Sequence, residues 1–107
     1  MDEAGKWVVL SKQTNPNDFY VKVDGADHYE AYWAVLAKTK EEATELALEV
    51  AEELVLGESE IISADQFSPE LISNTEILEK VTDTFSKLNE SDQIQLGAWV
   101  SSKGGLW

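Results

Sequence analysis

Apolar and polar positions alternate over the first third of the chain and recur at helical spacing over most of the rest. Residues 6–11, Lys-Trp-Val-Val-Leu-Ser, are rich in β-branched and aromatic side chains and predict a strand. The turn-forming run Asn15-Pro16-Asn17-Asp18 ends it. Residues 19–23 set Phe19, Val21 and Val23 against Tyr20 and Lys22, the alternation of a half-buried strand, and Asp24-Gly25 follows as a hairpin signal. Residues 29–37 form the longest strand candidate. Three successive strands with short turns predict an antiparallel meander.

Residues 39–54 predict a helix. Thr39 and Glu42 have the spacing of a capping box, and the interior is mostly Ala, Leu and Glu. Ala43, Leu46, Ala47, Val50, Ala51 and Leu54 fall in one stripe at about 100° per residue, with six glutamates opposite. Gly57 is a stop signal. Residues 60–64 read as a short fourth strand, so strand, helix and strand imply a crossover, right-handed if the two strands are parallel. Ser68-Pro69-Glu70 is a helix start and Asn74 a second one, followed by Ile77, Leu78, Val81, Phe85 and Leu88 at helical spacing. Residues 93–100 satisfy both templates: Ile94, Leu96, Ala98 and Val100 alternate, while Leu96, Trp99 and Val100 fit a helix. Ser91-Asp92 as a start and Gly104 as a stop favour the helix. The expected fold is α+β, a sheet of about four strands (the meander plus the crossover strand) with helices on one face.

With 107 residues, the length suits a single domain over 1–107. Cys is absent and His28 is the single histidine, which excludes disulfides, thiol catalysis and a multi-His metal site within one chain. The formal charge is −13, from 21 acidic residues and 8 basic ones, all lysine. Such a chain is repelled by phosphate backbones, which argues against nucleic-acid binding. No apolar run approaches the ~20 residues of a membrane span, and residues 1–5 have no apolar stretch, so neither a membrane segment nor a secretory signal is expected. The expected location is the cytoplasm.

Catalytic chemistry finds little support. His28 lies among Asp24, Asp27 and Glu30 in an expected hairpin turn, with no nucleophile at a recognisable spacing. The same acids lack the alternating pattern of a calcium loop, and no Gly-rich phosphate loop or Ser elbow occurs. No enzyme activity, metal or cofactor is therefore expected; a small enzyme or metal-binding domain is the least favoured class. The strongest feature is charge. Residues 38–60 carry eight acids against Lys38 and Lys40. Glutamates at i,i+4, such as Glu41/Glu45, Glu45/Glu49 and Glu49/Glu53, destabilise a helix by a few tenths of a kcal/mol each. A face serving solubility alone would intersperse lysines. Glu41, Glu45, Glu49, Glu52 and Glu53, with Glu58 and Glu60 beyond, are therefore candidate contacts for a basic protein partner, with Leu48 as an apolar anchor at their edge. Tyr29 and Tyr32, in an aromatic strand, are further candidates, because tyrosine is enriched at interfaces; if Tyr29 and Trp33 face one side of that strand, Tyr32 faces the other.

Small size, strong acidity, an aromatic sheet and no catalytic apparatus resemble the small acidic immunity proteins of bacterial toxin–immunity pairs, including contact-dependent growth inhibition systems. The resemblance covers the chain as a whole and rests on no diagnostic motif. It implies neutralisation of a basic cognate toxin domain, such as a nuclease, by blocking its active site in the cytoplasm. The alternative is a phage-type DNA mimic that inhibits a restriction or CRISPR nuclease. A duplex presents one charge per ~1.7 Å of axis, so a mimic needs a long stripe of charge; residues 41–53 span only about 20 Å at 1.5 Å per residue.

Overall fold

β2, the strand of residues His28–Ala37, is apolar on both of its faces over residues 31–37, and that decides the architecture. The computed structural model describes residues 5–14, 28–53, 58–89 and 91–101. Its other elements are β1 (Gly5–Thr14), α1 (Lys40–Glu53), β3 (Glu58–Gln66), a 3-10 turn (Pro69–Leu71), α2 (Thr75–Lys87) and β4 (Ile94–Ser101). The strands form one antiparallel sheet in the order β3-β1-β2-β4, giving the α+β fold expected. β1 and β2 pair without interruption from Gly5↔Ala37 to Thr14↔His28. The expected strand 19–23 and the turns on either side of it lie outside the described residues; the expected meander order is corrected, because β1 pairs directly with β2 and its other edge is taken by β3. β2 and β3 each run antiparallel to β1 and so parallel to each other, with α1 as the crossover between them.

The helices do not share a face, which corrects the one-sided packing expected. Tyr29, Ala31, Trp33, Val35 and Ala37 of β2 point to the side covered by α1, where Val9, Ala64 and Trp99 complete the core. Ala34, with the partly buried Tyr32 and Leu36, points to the opposite side, covered by α2 through Ile77, Val81 and Phe85. The physical reason is the unbroken apolar run of residues 31–37, which leaves no solvent face on a central strand. At ~25 cal/mol per Å2 of apolar surface, exposing either side would cost several kcal/mol.

Residues 94–101 are a strand rather than the helix favoured from Ser91-Asp92. Asn89 organises the entry: its Oδ1 accepts from the backbone N–H of Ser91 at 2.8 Å and of Asp92 at 3.1 Å, inside a tight turn closed by the Asn89–Asp92 backbone pair. Gln93 then docks on Leu36, whose N–H donates to Gln93 O at 2.7 Å. β4 carries one inserted residue, Gly97, between the pairs Trp33↔Leu96 and Tyr32↔Ala98. A Cβ there would lie 3.1 Å from both Tyr32 O and Val81 Cγ2, so glycine lets α2 approach the sheet. β3 has a similar insertion at Ile62. The Ser68-Pro69 start yields only the 3-10 turn, and Asn74 starts α2, accepting from Ile77 N–H at 3.1 Å. Among the described residues, no helix is long and apolar enough to cross a membrane.

Candidate functional site

Three alanines set the height of α1 above the sheet. Ala43, Ala47 and Ala51 are buried one turn apart, and their small side chains let the helix sit close over β3, β2 and β1. Leu46 and Val50 pack beside them; Leu54 lies outside the described residues. Thr39 Oγ1 accepts from Glu42 N–H at 3.1 Å, the N-terminal cap expected. With that stripe held down, Glu41, Glu45, Glu49, Glu52 and Glu53 are exposed, and Leu48 is half-buried between Glu45 and Glu52 at helical spacing.

The charges on this face run against the helix dipole at one end. Glu41 and Glu42 in the first turn interact favourably with the partial positive charge there, but the last turn carries Glu52 and Glu53 and no base. Acids at a C-terminus are unfavourable by roughly 0.3–1 kcal/mol each at an exposed site. In the sheet, Glu60 is exposed on β3 opposite Lys12 of β1, and Lys12 is opposite Glu30 of β2, so one base is flanked by two acids across three strands. Glu58 opens β3 across from Thr14.

The two tyrosines separate. Tyr29 is fully buried and stacks on Trp99 with ring centroids 5.0 Å apart, so it belongs to the core and not to a contact surface. Tyr32 is half-buried on the opposite face. Burial, and secondarily the negative charge of Glu30, hold its phenol above the ordinary value near 10. His28, expected in a turn, is the first residue of β2, opposite Thr14. Asp24 and Asp27 lie outside the described residues, and among the described residues no three acidic or histidine side chains converge on a metal position.

The fold also builds a cleft that the periodicity does not reveal. Where the connection into α2 crosses the sheet, Tyr32, Ser63 and Asp65 face Ser73 and Asn74 around a cavity of about 170 Å3. Val8 and Leu10 form its floor, and Leu71 and Ile72 its wall. Asp65 and Ser63 come to Val8 and Leu10 only through the β1–β3 register, which a single sequence does not specify. The chain matches no family model, and neither the curated proteins nor the solved structures offer a similar relative.

Proposed function

We propose that this protein binds and blocks a basic protein partner, the cognate toxin domain of a toxin–immunity pair, through the exposed glutamate face of α1. The observation that carries this reading is the uncompensated acid on α1. Five exposed glutamates, two of them in a last turn without a base, are kept at a cost to helix stability. A concentrated negative field raises the on-rate for a positive partner by about 10–10³, which suits capture of a lethal nuclease before it acts. Leu48 supplies apolar contact within the charged face. The short arc favours plugging one cleft over imitating a duplex, since the 14 residues of α1 rise about 21 Å.

The test is capture of the partner from the native host, followed by an assay of the captured protein's nuclease activity against increasing amounts of this chain. Stoichiometric inhibition that weakens with salt supports the reading. An acidic partner, or one whose activity is unaffected, contradicts it.

A further inference from the structure

We infer that the cleft between β3, β1 and the connection into α2 is a receptor for a single arginine side chain, presented by the basic partner proposed above, on which this assignment rests. At about 170 Å3 the cavity has room for a guanidinium and part of its methylene stem. Leu10 and Leu71 offer apolar surface to the stem. Asp65 offers a carboxylate, and the hydroxyls of Ser63, Ser73 and Tyr32 offer further acceptors. A guanidinium carries five donors in a planar fork and can use several of these acceptors at once, whereas an ammonium is a compact point charge. The charge around the opening has the same sense. On the same face Lys12 lies one step beyond Leu10, opposite Glu30 and Glu60, and Lys6 lies one step beyond Val8, so with Asp65 the acids there exceed the bases by one.

A second observation points to the same place. Among the described residues, the large apolar side chains that stand exposed are Ile62, at 50%, and Leu71, at 40%. Leu71 is in the cleft wall, and Ile62 is the residue inserted in β3 immediately before Ser63. Exposed apolar groups beside a pocket with a few polar acceptors match the anatomy of an interface hot spot, where a partner side chain is buried and neighbouring contacts exclude water. The cleft and α1 both border β3, the edge strand, but on opposite faces of the sheet, so a partner that meets both the glutamates and the cleft wraps that edge.

The experiment titrates the isotope-labelled full chain with Nα-acetyl-arginine methylamide into the millimolar range, following backbone amide shifts. Its citrulline counterpart, neutral and nearly isosteric, is the control. Saturable shifts at Ser63, Asp65, Ser73 and Asn74 are expected, about tenfold weaker with citrulline or in Asp65→Asn, as loss of a charge-assisted hydrogen bond requires. Equal responses to the two compounds, shifts confined to α1, or no saturation overturn the assignment. Glu45→Lys/Glu49→Lys is expected to leave the titration unchanged while slowing partner association; Asp65→Asn is expected to speed partner dissociation. A failed arginine titration with the association effect intact removes the cleft assignment alone. A positive titration with no association effect removes the proposed use of α1 and leaves the cleft as an arginine site.

Discussion

The Trp33 indole N–H donates to Ser11 Oγ at 2.9 Å, with both side chains buried in the core under α1. Ser11 in turn donates to Gln13 Oε1 at 2.6 Å, and Gln13 is itself fully buried. A polar chain thus runs from the sheet centre along β1, and it satisfies the indole of the largest fully buried side chain. Ser11→Ala leaves that N–H unpaired, which costs about 1–3 kcal/mol. For a domain of this size, each kcal/mol lowers Tm by roughly 4–8 °C. Thermal unfolding followed by near-ultraviolet circular dichroism checks it; an unchanged midpoint would show that the indole finds another acceptor.

At Gly97 α2 approaches the sheet closely, with 3.1 Å from a built Cβ to both the β2 backbone and Val81. Gly97→Ala is expected to destabilise by ~1–3 kcal/mol through overpacking, although alanine is ordinarily the better residue in regular structure. A urea midpoint equal to that of the unaltered chain would mean that α2 shifts without cost.

How far the sequence discloses this fold depends on the range of the interaction concerned. α1, its Thr39 cap and its alanine stripe are legible because helical periodicity and capping are local. β1 and β2 are legible because β-branched and aromatic runs have few alternatives. β4 is not legible, because Ser91-Asp92 resembles a helix start, whereas its pairing to β2 depends on residues 57 positions apart, Gln93 and Leu36. The burial of Tyr29 is not legible either, because alternation fixes which side chains share a face but not which face is covered. The apolar run of residues 31–37 carried that information, and it predicts cover on both sides. The glutamate face is legible as charge, whereas the cleft required the register of β3.

The acids at the end of α1 oppose the helix dipole, so their replacement should stabilise. Glu53→Lys is expected to raise stability by about 0.3–1 kcal/mol at low ionic strength, less in high salt. Urea denaturation at two salt concentrations measures it. A loss of stability would mean that Glu53 makes a stabilising interaction in the isolated chain, and the argument from uncompensated charge would fail there.

Tyr32 gives a pH dependence whose sign is fixed. Its folded pKa is raised above the ordinary value near 10 by burial and by Glu30. The folded state therefore holds the phenolic proton more tightly than the unfolded chain. This contribution is fully present below the unfolded pKa and is lost as pH rises through the folded one. Stability should fall more steeply above about pH 10 in the unaltered chain than in Tyr32→Phe. Parallel slopes in the two proteins would contradict the burial of this hydroxyl.

The proposed function requires that the glutamate face of α1 draw in a basic partner. Stopped-flow association with the purified captured partner, from low to high salt, measures this. Glu45→Lys/Glu49→Lys is predicted to lower the on-rate at low salt by about tenfold or more and to flatten its salt dependence, while the fold persists. An on-rate identical to that of the unaltered chain at low salt would contradict the account and leave the face of α1 as solvated surface.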